Sequence, residues 1–498
     1  MKLNSSPLLL TASVATLSSA SSFDPTNRDS VAAAAKQIAS GLFSFYDSEY
    51  GVGLFGKRAL WWESGSAHDA LINYWFLTGD ATYNSDVENA LIAQSDLGFQ
   101  PLNQTASITN DEQAIWALAG VTAAERGFPS INGTNYIDLS ITAFESLLAR
   151  WDNSTANSCG TPAGGLRMGL FTFDTLYEYK NTLSTALFFQ LSARLARYTG
   201  NATYTDAAVM TYDWLEKTGL VDADGFVYDG LTDYSSSLSS STTSAWSSSS
   251  TSSYSPSSSG DCSDSSNFDH LQWSHTPAAL LEGALIMANI TTDSVWQTRS
   301  LTLLSGIENV FYPTSPNAVP ATSKNNNASV LVEAACEPVA TCNSEQTAFK
   351  GLAARWLAWA AVSAPAAMNI PARVASKIAG TASAAQQRCE GAELCTGRWF
   401  DLSEERDVGD ISSFTGLGQQ LSAFDAVLAP LVNGSIVLQR SNSKASVNGS
   451  AVSTLTGTAT STSTAGARQT GAATQLSVMV GGQLLALVMA VSVMGLAL

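Results

Sequence analysis

Apolar side chains recur at helical spacing over most of the chain, and this periodicity limits the possible folds more than any other feature. In one run, five residues fill positions i, i+3, i+4, i+7 and i+8 of a single helix face: Ala67, Ala70, Leu71, Tyr74 and Trp75. Similar runs lie in residues 115–122, 183–195 and 349–360. Alternating segments of β-branched residues bounded by turns are scarce. The sequence therefore predicts an all-α fold.

A repeated segment indicates how these helices are arranged. Residues 76–83 resemble residues 197–204, and in both copies an apolar run reaches a glycine, Gly79 or Gly200, that suits a left-handed helix cap. A short polar corner and another helix follow, which predicts an αα-hairpin. Residues 123–127 form a weaker third copy. Because other helices separate the copies, a closed α/α barrel is favoured over an open stack of repeats.

The two ends of the chain resemble secretory sorting signals. Residues 1–20 combine Lys2, a short apolar run and small residues, as in a cleaved signal peptide. At the other end, residues 476–498 are apolar and uncharged, and a Ser/Thr-rich stalk, residues 438–475, precedes them. Small residues, a polar spacer and a terminal apolar tail are typical of a GPI-attachment signal, whose tail is removed. The alternative is a C-terminal transmembrane helix.

Residues 21–437 then form one helical domain, interrupted by a Ser-rich stretch, 235–260, that we interpret as a surface loop. The formal net charge of -18 argues against nucleic acid or an anionic membrane surface as the main partner, because phosphate binding requires clustered Lys and Arg. Nothing indicates an obligate protein partner, so we expect a monomer. The expected location is the secretory pathway and the cell surface, at the plasma membrane through a GPI anchor, or in the cell wall.

Six cysteines suit a secreted chain, although six allow 15 connectivities. The spacing suggests Cys336–Cys342 and Cys389–Cys395 as local bridges, which leaves Cys159 and Cys262 to close a long loop. There is no C-x-x-C motif, and the three histidines do not form a metal-binding motif. The Gly51–Gly56 motif lacks the preceding apolar strand of a dinucleotide site. We therefore expect no metal or organic cofactor.

The strongest candidate for chemistry is residues 109–116, where Asp111 and Glu112 begin an apolar helix. One interpretation is structural, since acidic residues at a helix start complement the macrodipole and cap free N–H groups. The other is a glycosidase pair, which places two carboxyl groups on either side of the scissile bond. Carboxyl groups so close would also separate their pKa values and leave one of them protonated as an acid.

Three clusters that combine aromatic and polar residues favour a sugar ligand: Trp61–Glu63, Tyr177–Asn181 and Gln272–Ser274. Flat rings match the apolar faces of pyranoses, and the neighbouring polar groups match their hydroxyls. Packing in the core is the alternative for any single tryptophan.

These segments, taken in order, resemble glycoside hydrolase family 76, the α-1,6-mannanases, and in particular its fungal GPI-anchored cell-wall members. The resemblance spans roughly residues 30–437. It rests on the following matches: Trp61–Gly65, Asn110–Gln113, Gly165–Arg167, Tyr179–Asn181, Ala193–Gly200, Val227–Gly230, Gln272–Ser274, Ala335–Glu337, Phe349–Gly351 and Arg355–Trp356.

The resemblance implies an (α/α)6 barrel as a single catalytic domain, with retaining, endo-acting cleavage of α-1,6-mannosidic bonds in mannan or GPI glycans. It assigns Asp111 as the nucleophile. Glu112 occupies the acid/base position, where the family has a second Asp, and the extra methylene moves the carboxyl by about 1 Å, which can cost on the order of 10²-fold in rate. The residues expected to bind substrate are Trp61, Trp62, Glu63, Asn110, Gln113, Tyr179, Lys180, Asn181, Asp229 and Trp273.

Two functions are compatible with this resemblance. Fungal members of the family are thought to act in wall assembly, where they cut the mannose core of GPI anchors and transfer the protein to wall glucan. The competing hypothesis is a catalytically silent mannan-binding or structural wall glycoprotein, which the Asp-to-Glu replacement favours. The enzyme hypothesis predicts that Asp111 and Glu112 both face a cleft lined by Trp and Tyr.

Overall fold

The computed structural model describes residues 23–56, 59–101, 108–153, 163–233, 267–313, 329–390, 394–400, 416–434, 436 and 438–441. The expected signal peptide, the Ser-rich loop, the Cys159–Cys262 pair, most of the stalk and the C-terminal tail lie outside these ranges. Within them, no helix combines the length and the apolar character needed to cross a bilayer.

Twelve helices of 11 residues or more occupy the described part of the chain. They are α1 (Arg28–Phe43), α2 (Trp61–Thr78), α3 (Asn84–Gln94), α4 (Asn110–Arg126), α5 (Tyr136–Ala149), α6 (Thr182–Thr199), α7 (Ala202–Thr218), α8 (His275–Thr291), α9 (Ser294–Phe311), α10 (Gln346–Ser363), α11 (Ile370–Gln386) and α12 (Leu417–Leu428). A single extra turn spans Asp96–Phe99.

The even-numbered helices close into a ring. Each packs against the next even-numbered helix along the chain, and α12 returns to α2. The odd-numbered helices pack on the outside: α3, α5, α7, α9 and α11 each pack against the even-numbered helix before them, and α1 packs against α12 and α2. This is the (α/α)6 barrel, and it confirms the predicted all-α class.

The burial of the helices follows from this arrangement. In the inner helix α4 every residue except Glu112 is buried, whereas the outer helix α5 buries only one side. A helix that is enclosed on all sides must bury polar as well as apolar residues. The exception of Glu112 identifies the end of α4 at which the barrel opens.

Three glycines confirm the predicted hairpins. Gly79, Gly200 and Gly127 end inner helices with φ values of 82°, 70° and 64°, in the left-handed region that glycine adopts without steric cost. Each inner helix then turns into an outer one. The local bridges Cys336–Cys342 and Cys389–Cys395 are also confirmed.

Short strands connect some of the helices. β1 (Tyr179–Asn181), β2 (Gly230–Thr232) and β3 (Phe268–Asp269) form an antiparallel sheet in which Asn181 pairs with Gly230, and Gly230 with Asp269. β4 (Cys389–Glu390) pairs with β5 (Leu394–Cys395). These strands have two or three residues, too few for an alternating pattern to identify. The first sheet matters for function, because β1 leads directly into α6.

A buried charge cluster joins α4 to α6 at their C-terminal ends. The Glu125 carboxylate accepts from Arg126 at 2.8 Å, from Arg194 at 2.7 Å and from Arg197 at 2.6 Å. Although burial opposes ionisation, the three guanidinium groups lower the pKa of Glu125 to about 2. One carboxylate therefore holds together three buried cations from two neighbouring inner helices.

We predict that Glu125→Gln lowers the free energy of unfolding by about 3–5 kcal/mol, because it leaves buried guanidinium groups without their carboxylate. Since the folded pKa lies below the unfolded one, this contribution is present above pH 4.5 and is lost as the pH falls towards 2. Thermal melts at neutral pH measure it, with the exposed Glu145→Gln as the control. Equal melting temperatures for the two variants would contradict the prediction.

Candidate active site

Backbone contacts with a neighbouring loop fix the position of the N-terminus of α4. Thr109 precedes the helix in an extended conformation and forms an isolated bridge with Gly169. The Asn110 backbone N–H donates to the Met168 carbonyl at 3.0 Å. The first turn of the helix therefore has a defined position relative to residues 163–181.

The Asp111 carboxylate is buried and accepts three hydrogen bonds. Its Oδ1 accepts from the Thr109 hydroxyl and, at 2.8 Å, from the Glu112 backbone N–H. Its Oδ2 accepts from the Asn181 amide at 2.5 Å. Burial raises the pKa of Asp111 above its usual value, and these donors offset part of that increase. The donors therefore both stabilise the anion and fix the orientation of the carboxylate.

The Glu112 carboxyl group lies in a different environment. It accepts from the Thr109 backbone N–H at 3.1 Å and so completes a capping box at the start of α4. Burial, the negative charge of Asp111 and that of Glu345 raise the pKa of Glu112 to about 8. The group is therefore protonated, and able to donate a proton, at neutral and acidic pH.

Thr109 contacts both carboxyl groups, the first through its hydroxyl and the second through its backbone N–H. The structural interpretation, helix capping, and the functional one, a glycosidase pair, are therefore compatible. Glu112 caps the helix and also carries an acid proton beside Asp111. The two neighbouring carboxyl groups differ in hydrogen bonding and exposure, and this difference separates their protonation states.

Two further carboxyl groups, from the starts of other inner helices, belong to the same electrostatic cluster as Asp111 and Glu112. Glu63 lies in the first turn of α2, accepts from the Leu60 N–H at 2.7 Å, and has its pKa raised to about 8 by burial. Glu345 directly precedes α10, and its side chain bonds to that of Trp62. Burial and the charge of Asp111 raise the pKa of Glu345. Glu345 was not among the residues predicted from the sequence, although the polar run 343–346 before an apolar helix was a usable signal.

The short sheet brings a third group of residues to Asp111. The Tyr179 hydroxyl and the Trp273 side chain both bond to the Asp229 carboxylate. Burial raises the pKa of Asp229 to about 6, and the charges of Asp269 and Asp111 contribute to this increase. Tyr179 and Asn181 lie on β1 and Asp229 directly precedes β2, so the strand pairing places all three beside the nucleophile candidate.

Other predicted substrate-binding residues have internal partners. The Trp61 indole donates to Gln94 at 2.9 Å and stacks on Trp116, and Trp62 is buried beside Phe349. Their burial places both tryptophans in the core around the site.

Lys180 is also buried, and it contacts Asp152 at 2.7 Å, the Gly164 carbonyl at 2.9 Å and Asp233 at 3.0 Å. These three acceptors use all three donors of its ammonium group. The expected contact of Lys180 with substrate is therefore replaced by a structural role.

The amides on either side of the carboxyl pair are also bonded within the protein. Asn110 donates to the Arg167 carbonyl at 2.7 Å and accepts from Arg150 at 2.7 Å. Gln113 donates to the Gly98 carbonyl at 2.6 Å and accepts from the same arginine. These bonds assign both amides to positioning the helix start.

The model of glycosyl hydrolase family 76 matches residues 30–255 and 250–441. The chain belongs to glycosyl hydrolase family 76. Two similar relatives are both named mannan endo-1,6-alpha-mannosidase DCW1. The Saccharomyces cerevisiae protein is 32% identical over 81% of this chain and 80% of its own, and the Candida glabrata protein is 31% identical over 78% and 77%.

Solved structures of the family agree with this fold. Dfg5 from Chaetomium thermophilum, in complex with glucosamine, has a TM-score of 0.67 and 26% identity, covering 82% of this chain and 92% of its own. An inactive α-1,6-mannanase variant from Salegentibacter, bound to α-1,6-mannotriose, has a TM-score of 0.56, covering 80% of this chain and 99% of its own. At 15% identity, this second likeness shows the fold alone.

We predict that the family 76 domain loses thermal stability as the pH rises. Glu63 and Glu112 have folded pKa values of about 8, above the unfolded value of 4.5. Their contribution to stability is therefore complete below pH 4.5 and is lost as the pH rises through 8. The melting temperature should be higher at pH 5 than at pH 8.5.

The variant Glu63→Gln tests the cause, because glutamine keeps the capping geometry but cannot ionise. Its melting temperature should decrease less between pH 5 and pH 8.5 than that of the wild type. Superimposable curves would show that Glu63 does not contribute.

Proposed function

We propose that this family 76 protein is a retaining, endo-acting α-1,6-mannosidase whose substrate is mannan or the mannose core of a GPI glycan. Its similarity to the mannan endo-1,6-alpha-mannosidases of Saccharomyces cerevisiae and Candida glabrata supports the substrate class. The observation that supports this mechanism is the difference in hydrogen bonding and pKa between the two carboxyl groups that contact Thr109. Asp111 is held by three donors, while Glu112 has its pKa raised to about 8.

In the first step, the Asp111 carboxylate attacks the anomeric carbon and forms a glycosyl ester. The bond to the glycosidic oxygen breaks, and Glu112 donates its proton to that oxygen as the leaving sugar departs. Hydrogen bonds from Thr109 and Asn181 fix the carboxylate oxygens of Asp111, so the nucleophile needs little reorientation during the reaction.

In the second step, Glu112 changes from acid to base. Formation of the ester removes the negative charge of Asp111, which is one cause of the raised pKa of Glu112. The pKa of Glu112 therefore falls, and its carboxylate accepts a proton from the incoming hydroxyl. That hydroxyl attacks the anomeric carbon, breaks the ester and regenerates the Asp111 carboxylate.

The incoming hydroxyl can belong to water or to a sugar. Water gives hydrolysis, whereas a sugar hydroxyl gives transglycosylation, and both follow from the same covalent intermediate. In the wall-assembly function, the donor is a GPI glycan and the acceptor is cell-wall glucan. Asp229, Tyr179 and Trp273 provide the polar and aromatic surface beside Asp111 that a sugar acceptor requires.

The location proposed for this activity is the cell surface. The signal-like residues 1–20 and the apolar residues 476–498 support entry into the secretory pathway and a GPI anchor at the plasma membrane. A monomer attached through the stalk would act on wall polymers within reach of the membrane.

We expect Asp111→Asn and Glu112→Gln to lower mannosidase activity strongly, and to different extents. Loss of the general acid should lower kcat by about 10²–10⁴-fold, and loss of the nucleophile by up to about 10⁶-fold. The assay follows α-1,6-mannotetraose by mass spectrometry, which also separates shorter products of hydrolysis from longer products of transfer. Asp206→Asn, an exposed position on α7, is the matched control.

Glu112→Asp restores the family residue and tests whether the pocket is fitted to glutamate. Because the carboxyl retracts by about 1 Å, we expect a loss on the order of 10²-fold. Two results together would instead support a silent mannan-binding protein. The wild type would bind the tetraose without cleaving it, and Glu112→Asp would gain activity.

The anchor has its own test. Phosphatidylinositol-specific phospholipase C should release the protein from membranes, and deletion of residues 476–498 should yield a secreted form. If the protein stays in the membrane fraction after phospholipase treatment, the apolar tail is a transmembrane helix instead.

A further inference from the structure

A cavity of about 340 Å³ lies beside the catalytic helix and contains none of the catalytic carboxyl groups. Its walls include Asn110, Arg150, Trp151, Asp152, Arg167 and Tyr177. Asn110 directly precedes Asp111, so the cavity adjoins the proposed cleavage site. Its volume is within the range of about 300–1,000 Å³ typical of small-molecule sites.

Arg150 lines this cavity as a partly buried cation with neutral partners. It donates to Asn110 at 2.7 Å, to Ser146 at 2.8 Å and to Gln113, which uses three of its five N–H groups. Among the described residues, no carboxylate lies within ion-pair distance of Arg150, and burial lowers its pKa to about 10. The neighbouring segments 102–107 and 154–162 contain no Asp or Glu in their sequence.

The other charges around the cavity compensate one another. Arg167 contacts Asp152 at 3.2 Å and Asp233 at 2.8 Å, and Lys180 contacts the same two carboxylates. Two cations thus face two anions, which leaves the charge of Arg150 uncompensated. Removing a charge from water without an ionic partner is unfavourable even when burial is partial, and this charge persists in a chain with a net charge of -18.

We propose that this cavity binds a phosphate ester carried by the glycan, next to the bond that Asp111 attacks. The planar guanidinium of Arg150 retains two donors, which match the paired oxygens of a phosphate. Tyr177, whose ring lies 4.8 Å from the Arg167 guanidinium, is only partly buried and offers aromatic surface to the sugar that bears the phosphate. The proposal rests on the proposed function, because it names a feature of the same substrate.

The test is calorimetric binding of mannose 6-phosphate, mannose and inorganic phosphate to the secreted protein. We expect mannose 6-phosphate to bind at least about tenfold more tightly than mannose, since a charge-assisted contact is gained. Weaker binding of inorganic phosphate than of mannose 6-phosphate would show that the sugar and the phosphate are recognised together. Arg150→Gln should abolish the preference over mannose, and Arg150→Lys should keep part of it.

Asn153 provides a second variant that leaves the bonds of Arg150 intact. It is exposed and lines the cavity, so Asn153→Asp adds a carboxylate there and should also remove the preference. Asn153→Gln is the matched neutral control, because both substitutions remove the same N-glycosylation acceptor, the Asn-Ser-Thr sequence at residues 153–155. Equal affinities for mannose and mannose 6-phosphate in the wild type, or a preference that survives both charge variants, would overturn the proposal.

Hydrolysis of neutral α-1,6-mannotetraose by the wild type distinguishes the two hypotheses. Cleavage without any phosphate preference rejects the cavity proposal alone. A phosphate preference without cleavage rejects the proposed mannosidase activity and retains the binding site.

Discussion

The site depends on the closure of six inner helices into a ring whose N-terminal ends converge. Five of these helices contribute a residue of the candidate active site at or just before their first turn: Glu63, Asp111, Asn181, Trp273 and Glu345. A helix start supplies free N–H groups and a partial positive charge, both of which favour carboxyl groups there. Ring closure buries the same groups, and burial acts in the opposite sense by raising their pKa values.

The balance of these two effects differs between neighbouring residues. Asp111 has three donors around its carboxylate, whereas Glu112 has one backbone donor and lies beside the charge of Asp111. The donors around Asp111 offset part of the increase that burial causes in its pKa, whereas the charge of Asp111 adds to the increase for Glu112. The longer side chain of Glu112 reaches back to the Thr109 N–H, so this sequence keeps the helix cap while it replaces the family's second Asp.

The sequence predicted the helices and the hairpins, because each leaves a local pattern, and the repeated hairpins favoured a closed α/α barrel. The (α/α)6 barrel followed from the family resemblance, and the catalytic role of Asp111 and Glu112 stays a prediction. The sequence did not predict Glu345, since this residue approaches Asp111 only through ring closure, far from it in the chain. It also assigned Lys180 and Trp61 to substrate. A motif shows that a residue is near the site, but only packing shows that its donors are already used.

In the proposed mechanism, Asp111 forms a covalent bond to mannose while Glu112 supplies and removes the proton. The most direct measurement is peptide mass spectrometry of the protein after reaction with a fluorinated, activated mannoside that slows breakdown of the glycosyl ester. This account predicts a single mannosyl adduct on the peptide that contains Asp111, absent from Asp111→Asn. An adduct at another carboxylate, or turnover that inverts the anomeric configuration, would contradict it.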